Sequence, residues 1–311
     1  MGVYIIRRLL QTIPVLLGVT ALVYFILFQT GDPTFLMVST DASREEVERI
    51  RRELGFDQPW YIQYLQFLGR AVRGDFGVSL RQGQPVFDLI LERYPATLEL
   101  TFAAMFIALA LALPLGVISA TRRNSAVDNL AMAFALVGQS TPVFFLGIML
   151  LFVFGGLLGW FPIGGRGRGE PIDELRHLVL PAITLGTFSV ARNARLVRST
   201  LLEVLGQDYV RTARAKGLTE RVVIWHHALK NALIPVVTVV GLEFGTLLGG
   251  AVITETVFAW PGVGSLVIKA IGQKDFPVVV GTVTILSASF VLINLVVDLL
   301  YGYLDPRVRY R

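Results

Sequence analysis

LVLPAITLGTFSVA, residues 178–191, is the stretch on which the fold of this chain turns. It lies between His177 and Arg192 and carries no charge. A helix that crosses a bilayer needs about 20 mainly apolar residues, so this short run admits a re-entrant piece as well as a crossing. Charge placement decides between them. If the run crosses, Arg192, Arg195, Arg198, Arg211, Arg214, Lys216, Arg221 and Lys230 share a side with Arg7, Arg8, Arg122, Arg123, Arg307, Arg309 and Arg311. The acids on that side are only Asp128, Glu203, Asp208, Glu220 and Asp305. Short cytoplasmic loops carry an excess of Lys and Arg. Without the crossing, the cation-rich loop after residue 191 would face outward. The sequence therefore predicts a crossing here, six in all, and both termini on the cytoplasmic side.

The other five runs follow from hydropathy. Residues 9–28 come just after Arg7 and Arg8. They exceed the roughly 7–15 apolar residues of a secretory signal, and no small-x-small site follows, so they read as an uncleaved anchor. Residues 100–121 close at Arg122 and Arg123. In the third run, 131–154, Pro142 behind Gly138-Gln139-Ser140-Thr141 predicts a kink or local unwinding. Residues 232–253 are long enough but carry Glu243 near their middle, and 276–297 end at Asp298. The chain is 54% hydrophobic and 16% charged, against about 25% charged in soluble domains. Without cysteine, disulfides and thiolate metal sites are excluded. The net charge of +5 sits beside apolar runs, which suits membrane topology rather than nucleic acid. The expected class is an all-α integral membrane protein.

Residues 30–95 form the main segment predicted outside the bilayer, between the 1–29 anchor and a core over 96–311. Ser43-Arg44-Glu45-Glu46 has the form of a capping box, and Gly55 is placed to end that helix. Trp60 to Val72 is aromatic-rich and suits the headgroup level or packing on neighbouring helices. The segment reads as a scaffold or lid, or as a dock for an external partner.

Residues 199–231 are the one cytoplasmic loop with distinctive content. A helical stretch ends at Lys216, Gly217 supplies a left-handed cap, and Thr219 can cap a second short helix. Small Ala213 and Ala215 would let a partner's backbone approach, and the cations suit an acidic or polar groove. Arg192, Arg195 and Arg198 recur on one helical face, either lining a pathway for an anionic group or snorkelling to headgroups. Glu243, near mid-span, is the leading candidate to line a polar cavity or to meet a neighbouring subunit. Asp298 with Asn294 can hydrogen-bond within the bundle, and Glu255 is expected at the outer end before Trp260-Pro261-Gly262. His226 and His227 are adjacent, which is not a metal-binding helical spacing, so no metal site is expected. Nothing forms a nucleophile–base constellation, and no phosphate-binding GxxxxGK[ST] loop is present.

YVRTARAKGL (209–218) followed by HALKNALIP (227–235) resembles the cytoplasmic loop of binding-protein-dependent ABC importer permeases. The resemblance is to the dipeptide/oligopeptide/nickel branch, and it extends through GDFGVS (74–79), YPATLELT (94–101), TPVFFLG (141–147) and ETVFAWPGVG (255–264). In the family pattern E-A-A-x3-G, Gly217 takes the glycine and Ala213 the second alanine, while Arg211 and Thr212 replace Glu and Ala. His227 opens the later I-x-L-P slot, and Pro235 falls five residues late. The resemblance implies an N-terminal span outside a five-helix type I importer core in a bacterial or archaeal inner membrane. It implies that Tyr209, Arg211, Thr212, Ala213, Ala215, Lys216, Gly217, Leu218 and His227 belong to a loop that couples to an ATPase. The implied partners are a second homologous permease, two ABC ATPase subunits that use ATP and Mg²⁺, and an extracytoplasmic solute-binding protein. No cofactor is expected on this chain, and the solutes implied are di- or oligopeptides, glutathione or nickel chelates. The alternative is an ion- or proton-coupled secondary transporter, for which Glu243 is the one plain mid-span carboxylate.

Overall fold

In a computed structural model, residues 2–29, 34, 43–53, 55–167 and 169–304 are described. The side chains of 2–9, 53, 298 and 300–304 are excepted, so the expectations for Arg7, Arg8, Asp298, Arg307, Arg309 and Arg311 lie outside them. The helices are α1 (Gly2–Gln29), α2 (Arg44–Glu53), α3 (Trp60–Ala71), α4 (Val86–Thr121), α5 (Ala126–Ser140), α6 (Val143–Leu150), α7 (Pro171–Leu205), α8 (Asp208–Ala215), α9 (Glu220–Val222), α10 (Leu229–Val257), α11 (Val263–Gly272) and α12 (Phe276–Leu304). π-helical turns extend α6 over Leu151–Leu157 and lead into α10 over Val223–Ala228. Among the described residues, four helical segments are long and apolar enough to cross a membrane: within α1, in α4, from α9 through α10, and in α12. The bent pair of α5 with α6 makes a fifth if it counts as one crossing.

Two compact units divide the chain. In the first, Met1–Thr97 with Pro261–Leu292, α3 lies on α1. The Tyr64 hydroxyl donates to the Leu17 carbonyl at 2.8 Å and lies 2.9 Å from Thr20 Oγ1, while Phe67 and Val280 close the core beneath. Ser43 accepts from the Glu46 amide at 3.2 Å, and Gly55 stands at φ +72, so the predicted start and stop of α2 are present. Residues 74–85 form a tight loop. Buried Asp275 organises it by accepting from Ser79 Oγ at 2.5 Å, Leu80 N at 3.1 Å and Arg81 N at 3.3 Å.

The second unit, Leu98–Trp260 with Ile293–Arg311, is built around α7. The 178–191 run sits inside this 35-residue helix, and Leu180, Pro181, Ala182, Thr184, Leu185, Gly186, Ser189, Val190 and Ala191 are all buried. Length is thus no obstacle to a crossing, since 35 residues extend about 52 Å at 1.5 Å per residue. Parallel α4 approaches closely enough to require glycine. A Cβ on Gly186 would stand 2.6 Å from the Ala104 carbonyl oxygen, and one on Gly116 would stand 2.6 Å from Val197 Cβ. Antiparallel α10 meets α7 at Gly250 beside Leu185, and again where Leu229, Ala232 and Val236 join Val197 and Leu201.

The predicted kink at Pro142 is a 102° bend between α5 and α6. Thr141 is extended (φ −81, ψ 126), as a residue before proline prefers, and Pro142 caps α6 without an amide to donate. Along α7 this pair advances eleven positions over α5 but only three more after the bend. Asp128 meets Arg198, Gly138 meets Thr187, and Gly147 meets Thr184.

Candidate functional site

The loop after α7 turns at Gly206 and Gln207 into α8, whose amphipathic pattern places Val210 and Ala213 inward. These join Val223, Ala228, Leu229 and Val236 in one core with Val197 and Leu201 of α7, which ties the projection to two long helices. Lys216 caps α8, and Gly217 follows at φ +78, the left-handed conformation that glycine adopts without a Cβ penalty. Gly217 N donates to Arg214 O at 2.9 Å and Leu218 N to Ala213 O at 3.4 Å, closing the turn. Thr219 occupies the cap of α9, yet its side chain makes no capping bond. Across the turn Arg214 grips Glu220 with two contacts, Nε to Oε1 at 2.7 Å and Nη2 to Oε2 at 3.3 Å, and that pairing raises the Arg214 pKa. Tyr209 is fixed by Asn231 Nδ2, which donates to its hydroxyl at 2.7 Å, and half-buried His227 lies beside it.

The outer face of this projection carries Arg211, Thr212, Ala215, Lys216, Gly217, Leu218 and Arg221, all exposed. Ala213 differs from the sequence expectation. It is 5% exposed and serves the chain's own core, so of the two alanines only Ala215 offers a small surface to a partner. Arg211 lies 3.5 Å from Asp208 on the same helix.

The arginines of α7 form a ladder in which each reaches a different partner. Arg198 binds Asp128 through Nε at 2.8 Å and Nη2 at 2.7 Å. Asp128 also accepts from Ser119 Oγ, and from the Asn124 amide at 3.0 Å. Arg195 donates to Gln139 Oε1. Arg192 Nε lies 3.2 Å from Glu243 Oε1, with the arginine side chain 52% exposed and the carboxylate 3% exposed. Asn193 Nδ2 donates to the Ser189 carbonyl at 2.9 Å and to Glu243 Oε2 at 2.6 Å. Glu243 is thus buried in a polar cluster between α7 and α10. Asn193, Gln139 and Ser119, its neutral participants and those of the ladder, do not stand out in the sequence. Asp128 was visible only as one acid among the inside residues. Glu255, in the last turn of α10, is fully buried, and its carbonyl accepts from Trp260 N at 2.8 Å.

The family described as "Binding-protein-dependent transport system inner membrane component" matches residues 112–310, and the N-terminal component of the same systems matches residues 1–101. The dipeptide transport system permease protein DppB of Alkalihalophilus pseudofirmus is 42% identical over 99% of both chains, and that of Escherichia coli K12 is also 42% identical over 99% of both. The glutathione transport system permease protein GsiC of Escherichia coli K12 is 43% identical over 99% of both chains. Among solved structures, an inward-facing MetNI methionine ABC transporter matches with TM-score 0.57 at 22% identity, over 70% of this chain and 96% of that one. At that identity the likeness speaks for the fold alone. The two family matches cover residues 1–101 and 112–310: this chain belongs to the inner-membrane permease components of binding-protein-dependent transport systems.

Proposed function

We propose that this chain is the membrane half-channel of an ATP-driven importer for short peptides, glutathione-like tripeptides included, and that residues 199–231 are its contact with a separate ATPase. The observation that carries this reading is the α8–Gly217–α9 projection. It is rooted in the same core as α7 and α10, while its cations and small residues remain exposed. A partner that pushes on α8 therefore moves α7 and α10 directly. The relatives named for dipeptide and glutathione transport support the solute class. In this reading a second permease completes the channel, two ATPases hydrolyse ATP with Mg²⁺, and an extracytoplasmic binding protein delivers the solute.

The crossings of this reading are α1, α4, the bent pair of α5 with α6, α7, α10 and α12. Parallel α4 and α7 support it, because two neighbouring helices can run parallel only if the chain between them returns. α5 runs antiparallel to α7, from Arg198 to Thr187, and supports that return. Alternation from α1 then places both termini on the side of the 199–231 projection. α1 suits a peripheral anchor, since only 6% of its apolar window is buried.

Gly217 gives the test. A Cβ there meets open space, so a substitution is felt through the backbone alone, at about 1–2 kcal/mol for a left-handed L-residue. Gly217→Val is expected to insert and assemble, yet to lower solute taken up per ATP hydrolysed. Gly217→Asn, which tolerates the left-handed region, is expected to retain coupling. Paired uptake and ATPase assays in vesicles measure this ratio, and an unchanged ratio in the valine variant would remove the coupling assignment.

A further inference from the structure

The arginine ladder on α7 is not electrically balanced. Arg198 faces a carboxylate in Asp128, and Arg192 faces one in Glu243, but Arg195 has only the neutral amide of Gln139. One positive charge on this face therefore remains uncompensated by these partners. Both Arg192 and Arg195 are exposed at the surface of the chain, one helical turn apart. Glu243 marks their setting, because it stands at the midpoint of α10, with apolar turns on either side. Charged groups there are strongly disfavoured against lipid, and they face a bundle interior or a water-filled path.

The geometry of Arg192 narrows this further. Only its Nε approaches Glu243, and Glu243 Oε1 accepts no hydrogen bond, so the contact is one of charge and leaves the guanidinium able to reorient. Its two Nη groups have no acceptor among the described residues. A planar fork of this kind matches a carboxylate with two parallel hydrogen bonds. Asn193 and Glu243 meanwhile stay buried behind it, fixed by the 2.6 Å hydrogen bond between them.

We propose that this face of α7 lines the solute pathway and that Arg192, backed by Glu243 and assisted by Arg195, receives the carboxylate of the passing solute. The proposal rests on the permease reading above and adds to it a chemical requirement, a carboxylate-bearing or zwitterionic solute.

The chain has no cysteine, which makes Arg192→Cys a unique thiol within it. The assembled transporter, with its ATPases and binding protein and with other exposed cysteines removed, is reconstituted and treated with water-soluble methanethiosulfonates. Uptake of a free-carboxylate dipeptide is expected to fall about tenfold or more in the variant, the scale of a lost charge-assisted bidentate contact. A cation-bearing reagent should restore uptake several-fold, an anion-bearing one should lower it further, and solute should slow both modifications. A thiol that neither reagent reaches would place Arg192 in a subunit contact and overturn the proposal, as would equal responses to the two charges. If Arg192→Cys fails to assemble, Phe188→Cys supplies the accessibility reading, because it is exposed on the same face one turn earlier and leaves the ion pair intact. Labelling slowed by solute supports the proposal there, and absence of labelling overturns it. Wild-type vesicles serve as the reference: if they show no ATP-driven uptake, the permease reading fails rather than the role of Arg192.

Discussion

Replacing Asp128 with alanine is expected to destabilise the protein by about 3 kcal/mol, the lower end for breaking a buried ion pair. The carboxylate is buried, and it is the common acceptor for the Arg198 guanidinium, the Ser119 hydroxyl and the Asn124 amide. Its removal strands all three donors at the place where α4 turns into α5 and both meet α7. Arg198 retains some access to water, with 26% of its side chain exposed, which is why the lower figure applies. A charge left without its partner costs more than a pair removed together. Asp128→Ala with Arg198→Ala should therefore recover part of the loss. Thermal unfolding of the purified protein in detergent, followed by size-exclusion chromatography, measures both variants. Equal melting temperatures for wild type and Asp128→Ala would contradict the arrangement.

The second large effect is expected at Gly186. The Ala104 carbonyl oxygen lies 2.6 Å from where a Cβ would stand, and backbone cannot yield as a flexible side chain does. Gly186→Leu must separate α4 from α7, at or above the roughly 1–3 kcal/mol typical of overpacking. The helices it separates form the centre of the second unit, so little folded protein should be recovered from membranes. Gly250→Ala is the matched control, because its Cβ would meet only Leu185 Cδ1 at an ordinary 3.7 Å. Recovery of folded Gly186→Leu at the wild-type level would show that the two helices are not held at this distance.

These close contacts explain which features could be read from the sequence. Local conformational signals were legible: Ser43 and Gly55 bound α2, Pro142 breaks the α5–α6 pair, and Gly217 ends α8 at a positive φ. Each acts within a few residues. The 178–191 run was hard to read for the opposite reason. Hydropathy reports what a helix needs when it touches lipid, whereas one face of α7 packs against α5, α6 and α10 and closely approaches α4, so that face carries small and polar residues. Charge placement is the independent argument for its crossing, because a loop's excess of Lys and Arg does not depend on how the helix packs.

The polar cluster was legible only in part. Glu243 stood out as an acid in an apolar span, and the arginines stood out by their spacing. Their pairings did not, because Arg198 and Asp128 are 70 positions apart and Asn193 and Glu243 are 50 positions apart. In the structure these arginines make the intramolecular contacts with Asp128, Gln139 and Glu243. Ala213 shows the complementary error. A small residue beside a left-handed glycine looks like a partner surface, but the α8 period turns it inward with Val210.

The secondary-transport alternative would use Glu243 as a carboxylate that exchanges a proton or ion with water. Its burial, its hydrogen bond from Asn193 and its contact with Arg192 instead make it the backing of an arginine. This chain is proposed to move solute by coupling to separate ATPases, and energy dependence tests that coupling most directly. The chain is purified with its partner subunits, placed in vesicles with a dipeptide and the binding protein, and supplied with either ATP or an ion gradient. Uptake that requires ATP and the ATPase subunits, and that ignores the gradient, is the predicted result. Gradient-driven uptake by the chain in vesicles free of ATPase subunits would contradict it.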